Sequence, residues 1–357
     1  MKPSQRLSAF LRPDSDRLIH SLKTAVALLI SMIVTRVGDF PAQGQWVLIT
    51  VLVVMCAQSR VGAIMQKSYM RFWGTLLGAS IAALTLTLAY PSLLWVTLTL
   101  CFATALFSYI ADSPSYLSEA GPLGAVTVVI ILIGQKPSYG TVLSRFLEIN
   151  LGILIALFVS RFLWPLHSHT QLRQLVRTTI GDLQQLFTQL TSLSSVNAED
   201  ACVVQEDKIA SHFIKQTRLY HEVVHESFGR SPITRVFKAI LRSERELLHY
   251  VSLMRRILAS VPKALYLRFN QHSTVQQFYE VAQQLFIAIL NQLNTPTSIV
   301  GEPSLPIDGK GLENKVYQEL KLMAGTEADQ VAIDLLIFAS QKLAVQLNKT
   351  AYLIHKI

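Results

Sequence analysis

Three groups of residues in this sequence have types and spacing that could do chemistry. The first is His221-Glu222-Val223-Val224-His225. It matches the zinc-peptidase pattern, in which two histidines one helical turn apart hold the metal and the glutamate activates water. The surrounding periodicity argues against that chemistry. Ile209, Phe213, Tyr220, Val223 and Val224 define the stripe expected to be buried, His221 and His225 point away from it, and spacing indicates no third ligand. The expectation is a solvated helix face with no metal.

The second group is cationic. Arg60, Lys67 and Arg71 lie between two apolar runs with no acid among them, and Lys23 and Arg36 bracket the body of an earlier apolar run. Cations beside membrane segments have two readings: a cytoplasmic anchor under the positive-inside rule, or a vestibule that concentrates anions by its local field. The third group is Arg145 and Glu148, three residues apart on one apolar helix and able to pair there. The pair serves either as a salt bridge that holds the helix in register, or as an anion contact beside a protonatable coupling group. There is no Walker A sequence, nucleotide-binding glycine loop or nucleophile elbow. The expectation is therefore a non-enzyme with no cofactor.

The elements that position these residues follow from composition. The chain has 357 residues, 51% hydrophobic and 15% charged, with a mean hydropathy of +0.37. An average soluble domain is roughly 25% charged, so part of this protein belongs in lipid. Nearly all the long apolar runs fall in residues 1–165, the expected membrane domain. Residues 166–357 are amphipathic and rich in Gln, Lys, Arg and Glu, the pattern of a cytoplasmic helical bundle. The fold class expected is all-α.

Six spans are expected, at about 18–37, 42–59, 72–89, 91–110, 120–134 and 141–164. An even number places both termini on one side, and the basic N-terminus and Arg161 assign that side to the cytoplasm. The first span is read as uncleaved, since no small-residue cleavage site follows it. On it His20, Thr24, Ser31 and Thr35 form a polar stripe, either lining a pore or bonding back to the helix. The apolar cores of spans two and five are short against the roughly 20 residues a bilayer needs. They sit at matching positions of two three-span halves, the pattern that points to a transport site between inverted repeats. Gly74, Gly78 and Ala82 recur every four residues and form a ridge for close helix packing.

Beyond Pro165, helices are expected at Leu172–Leu193, Ala201–Phe228, Ile233–Val261, Lys263–Leu293 and Glu327–Ile357, with a Pro/Gly-rich loop before the last. The net charge of +9 is spread over membrane flanks and helix surfaces, with no aromatic-interleaved basic patch, so no nucleic-acid partner is expected. Cys56, Cys101 and Cys202 have no metal or disulfide spacing.

The run WVLITVLVVM from Trp46, the link QSRVG from Gln58 to Gly62, and the Lys67, Arg71, Gly74-Thr75, Gly78-Ala79 series resemble the fusaric acid resistance family. So does Arg145-x-x-Glu148-x-x-x-Gly152, followed by Leu163-Trp164-Pro165. The resemblance covers about residues 18–165. That family includes bacterial aromatic acid exporters and is similar to plant aluminium-activated malate transporters. The chain departs from it at Ser59, where Pro is frequent, and at Glu148, where Asp is common.

The resemblance implies a multi-pass transporter or channel for organic anions in the bacterial inner membrane; the leading expectation is an exporter of hydrophobic or aromatic carboxylates, to which Glu148 offers a protonatable coupling group. Lys23, Arg60, Lys67, Arg71 and Arg145 would then line the anion pathway. Many members carry two six-span halves, so a chain with one half implies a homodimer, in contact with lipid and with a periplasmic adaptor as a further partner. A passive anion channel gated by the helical domain, and a non-transporting scaffold, are the alternatives.

Overall fold

A computed structural model of the protein describes residues 15–40, 44–56, 60–88, 92–113, 116–134, 138–191, 197–227, 231–294 and 327–357. Among them are twelve α-helices and no strand, an all-α fold. The helices fall into two compact units, Met1–Ser168 and His169–Ile357.

The first unit holds α1 (Ser15–Val37), α2 (Gln45–Met55), α3 (Val61–Leu88), α4 (Leu93–Ala111), α5 (Ala120–Ile133) and α6 (Tyr139–Phe162). Helices α1, α3, α4 and α6 are long and apolar enough to cross a bilayer. Helices α2 and α5 have 11 and 14 residues, about 16 and 21 Å at 1.5 Å per residue, against a hydrocarbon core of about 30 Å. The span expected at 42–59 is therefore corrected to a helix that stops short at both ends. Gly44, in the left-handed conformation at φ 66°, starts it. A side chain there would collide with the Thr35 methyl group.

The third span also needs correction. The segment carrying Lys67 and Arg71 is not a link, because α3 begins at Val61 and runs for 28 residues. No residue from Val61 to Phe72 is a strong helix breaker apart from Gly62, and the Val61 N–H is satisfied by the Leu166 carbonyl at 3.1 Å. The two cations therefore sit on the wall of a helix. At the start of α6, Ser138 caps the helix by accepting from the Thr141 N–H at 3.2 Å.

This unit is turned inside out relative to a water-soluble protein. Leu29, Leu94, Trp95, Phe102, Leu154 and Phe158 are exposed, whereas Lys23, Ser31, Thr50, Arg71, Glu148 and Ser160 are buried. So much outward apolar surface suits acyl chains rather than water. With lipid outside, close packing must hold the helices together. A Cβ on Gly74 would meet the Ala120 carbonyl oxygen at 2.6 Å, and one on Gly78 would meet that of Gly124 at 2.6 Å. Ala82 is fully buried among Ala103, Phe107 and Val128.

The second unit holds α7 (Ser168–Thr191), α8 (Asn197–Glu226), α9 (Pro232–Ser260), α10 (Lys263–Gln271), α11 (Ser273–Asn294) and α12 (Glu327–Ile354). The single helix expected over Lys263–Leu293 is broken at His272, which is extended (φ −64°, ψ 128°). Its ring Nδ1 accepts from the Thr274 N–H at 3.2 Å and so starts the next helix. Leu183, Phe187, Ile240, Leu247, Phe286 and Leu343 are among the core residues. Helix α12 meets the length and composition of a span, yet Ile333, Leu336, Leu343 and Leu347 are buried in that core. Past Asn294, the expected Pro/Gly-rich loop lies outside the described residues.

Candidate functional site

The buried face of α1 reads Lys23, Ala27, Ser31 and Thr35, one residue per turn, rather than the stripe expected at His20, Thr24, Ser31 and Thr35. The hydroxyls bond back to their own helix: Thr24 donates to the His20 carbonyl at 3.0 Å, Ser31 to Ala27 at 2.8 Å and Thr35 to Met32 at 3.1 Å. Lys23 does not. It is 1% exposed, its Nζ has no hydrogen-bond partner, and no ion pair reaches it among the described residues. One turn away, His20 faces the backbone of Cys56 at the end of α2.

Arg71 is 6% exposed on α3, with its Nε unpartnered and no carboxylate paired with it among the described residues. It lies one turn before Gly74, on the face that packs against α5. Lys67 precedes it by one turn and is half-buried, as is Arg60 just outside the helix.

On α6, Arg145 Nη1 donates to Glu148 Oε2 at 3.2 Å, with the arginine side chain 21% exposed and the glutamate 1%. The guanidinium stands 5.2 Å over the Trp46 ring, a cation–π contact. The Trp46 backbone N–H, in the first turn of α2, is directed at the same carboxylate. The rings of Phe72 and Phe146 are 6.2 Å apart, so their sequence neighbours Arg71 and Arg145 lie at one level of the α3–α6 pair. The structure thus brings Arg71, Arg145 and Glu148 to a common level. Lys67 and Arg60 lie one and three turns away along α3, and Lys23 lies by the other end of α2.

Periodicity missed Trp46, which had been read only as the first residue of an apolar run. The signal available was its position two residues after Gly44, in the first turn of a helix too short to span.

In the second unit, His221 is exposed, His225 is half-buried and Glu222 is buried. The solvated face expected there is corrected at Glu222, which is 1% exposed and 3.8 Å from Arg218. The buried ridge of α8 is Ile209, His212, Gln216, Leu219 and Val223, with Phe213, Tyr220 and Val224 only half-buried. Its polar members join a layer across the bundle. Gln216 Nε2 donates to Thr179 Oγ1 at 3.0 Å, and Lys208 pairs with Asp182 at 2.8 Å. His212 lies 3.5 Å from Asp182, and burial lowers its pKa more than that carboxylate raises it.

Glu244 on α9 is fully buried with neither oxygen hydrogen-bonded. Burial lifts its pKa well above the usual carboxylate range. The Gln216 side chain beside it lowers that pKa only in part, and the Gln216 Oε1 has no donor among the described residues. On the other side Gln346 donates to Ser243 Oγ at 2.8 Å.

An inside-out unit of apolar helices with buried cations, joined in one chain to a helical bundle, defines an all-α membrane protein. The chain belongs to the Fusaric acid resistance protein family, whose profile matches residues 17–297. The match runs well past residue 165, so α7 to α11 are part of the family pattern as well. Inner membrane protein YeeA of Escherichia coli (strain K12) is 27% identical over 149 residues, 42% of this chain and 41% of that protein. Multidrug resistance protein MdtO of the same organism is 29% identical over 191 residues, 52% of this chain and 27% of that protein. The chain therefore spans less than half the length of the curated relatives it matches.

Proposed function

We propose that this protein is a subunit of an inner-membrane exporter of organic anions, hydrophobic or aromatic carboxylates, with proton movement coupled through Glu148. The observation that carries the reading is the pair of buried cations, Lys23 and Arg71, without a counter-charge among the described residues. An unpaired ammonium or guanidinium costs several kcal/mol to bury. A fold that keeps two of them beside small and hydroxyl residues gains something other than stability, and an anionic cargo that passes them supplies the missing charge. Lys67 and Arg60 extend the positive field along α3, on the side assigned to the cytoplasm together with both termini and the helical unit. The relatives YeeA, an inner membrane protein, and MdtO, a multidrug resistance protein, support the membrane and the export reading; a second copy of this chain and a periplasmic adaptor complete the proposal.

The test is flux of labelled aromatic carboxylates in proteoliposomes of the purified protein, with and without a pH gradient. Lys23→Met and Arg71→Met should lose flux while still inserting, and Lys23→Met should melt no lower than wild type in detergent. Unchanged flux in both variants would remove them from the pathway. Flux in wild type that runs only downhill and carries no protons would select a passive channel. No flux would leave the scaffold.

A further inference from the structure

The charge arrangement at the start of α2 goes one step further, and it rests on the anion-transport reading. Helix α2 opens behind Gly44 with no side-chain cap of its own and no acid in its first turn. Its first N–H groups therefore need an outside acceptor, and the helix end carries positive potential. The acceptor comes from another element. Glu148 of α6 sets its carboxylate against the Trp46 N–H, accepts from Arg145 at 3.2 Å, and is 1% exposed. Its Oε1 is left without a partner. Arg145 in turn lies 5.2 Å over the Trp46 ring. A helix N-terminus, a guanidinium and an aromatic wall form a receptor for a carboxylate on an apolar body, and here the protein's own glutamate fills it.

We propose that Glu148 is an internal stand-in for the carboxylate of the cargo, and that the two compete for Arg145 and the Trp46 N–H. Loading the site then requires neutralising Glu148. One proton adds to its carboxylate, Arg145 and the Trp46 amide are released from it, and RCOO⁻ takes the place of the Glu148 carboxylate on those two donors. The charge of the site is the same before and after, so one proton enters with each anion bound; proton and carboxylate move together, and export then runs down the anion's own gradient while an inward proton gradient opposes it.

The groups that face this point are few. Arg145 is the charged neighbour on α6, and α2 offers the Trp46 N–H and the buried Thr50 hydroxyl. Helix α3 offers Arg71 at the same level, with Lys67 a turn away. Helix α5 has no titratable residue, and the cation and imidazole of α1, Lys23 and His20, lie by the opposite end of α2.

The experiment uses the full chain in detergent, with labelled benzoate as the probe, by equilibrium dialysis between pH 6 and pH 8.5. Proton uptake is read with a dye in weak buffer. Wild type should bind about tenfold more weakly per pH unit once Glu148 is ionised, taking up one proton per benzoate at pH 8.5. Glu148→Gln should bind with no proton uptake and no pH dependence, Glu148→Asp should restore both, and Arg145→Gln should lose binding. Should Glu148→Gln fail to fold, the wild-type proton count still decides. Binding that is independent of pH in wild type, or that persists in Arg145→Gln, overturns the competition alone. Absence of benzoate binding in both wild type and Glu148→Gln overturns the anion reading with it.

Discussion

The two units solve opposite problems with the same element. The second unit buries Leu, Ile and Phe and gives most of its buried polar groups a partner: Lys208 with Asp182, Arg255 with Glu206, Gln346 with Ser243. The first unit exposes its leucines and phenylalanines and buries Lys23 and Arg71 with no counter-charge among the described residues. Water around a bundle makes an unpartnered buried charge a defect to be removed. In a unit whose outside is hydrocarbon, the interior is the only place where charge can meet a solute. Polarity inside is then a property of the pathway rather than of the core.

The largest effect that tests this contrast comes from placing the same charge on both outer surfaces. Phe102 on α4 and Ile214 on α8 are 70% and 76% exposed. Phe102→Arg should cost about 2.5–3.5 kcal/mol of insertion free energy if that face meets lipid, read as loss of protein from the membrane fraction. Ile214→Arg should change stability by no more than about 0.5 kcal/mol. Equal effects at the two sites would erase the distinction.

Next is close packing. Gly78→Leu drives a side chain into the Gly124 carbonyl, where even a Cβ sits at 2.6 Å. Over-packing of this kind costs about 1–3 kcal/mol, seen as a lower melting temperature in detergent. The second unit packs by side chains, and Gly181 of α7 has nothing within 4 Å of the place of a Cβ. Gly181→Ala should be neutral or slightly stabilising, since Ala is the better helix former.

Within the second unit, Glu244 is the exception that sharpens the rule. It is a fully buried acid with no cation on its carboxylate, and its pKa is raised. The folded state therefore holds its proton more tightly than the unfolded chain does. Its stabilising contribution is full below the unfolded glutamate value of about 4.3 and is lost as pH rises towards the raised folded value. The slope is no steeper than about 1.4 kcal/mol per pH unit. Glu244→Gln should flatten that slope and melt higher than wild type at pH 8. A slope unchanged by the substitution would assign it to another group.

Sequence made the helices legible where apolarity was continuous, as in α1, α4 and α6, and the small-residue series at Gly74 and Gly78 was readable from its spacing. It misled where a charge interrupted an apolar run. Lys67 and Arg71 looked like a loop, although Val61 to Phe72 has only Gly62 against a helix. The break at His272 was invisible because neither Pro nor Gly marks it, and an imidazole capping its own successor is a weak signal. The buried layer of Gln216, Glu244 and Ser243 could not be read at all. Its partners lie on other helices, with Ser243 and Gln346 103 residues apart, and hydropathy assigns each of them to the surface. The start of α2 failed in the same way: nothing local says that the carboxylate facing its first turn belongs to Glu148.

The smallest effect expected is also a control on how charge is read. Arg242 and Glu246 pair at 3.0 Å one turn apart on α9, with the arginine side chain 80% exposed. By distance it is a better pair than Arg145 and Glu148 at 3.2 Å. Solvent screens it, and two long side chains lose freedom to form it, so Arg242→Ala should cost only about 0.3–0.5 kcal/mol, at the edge of detection by denaturant melting. Arg145→Gln strands a buried carboxylate in the helical layer, and breaking a buried pair on one side costs far more than breaking an exposed one. A large loss at Arg242 would mean that separation alone sets the worth of a pair in this chain. A small loss there beside a large one at Arg145 would tie the difference to burial, which is the property that also makes Arg145 and Glu148 able to exchange partners with an incoming anion.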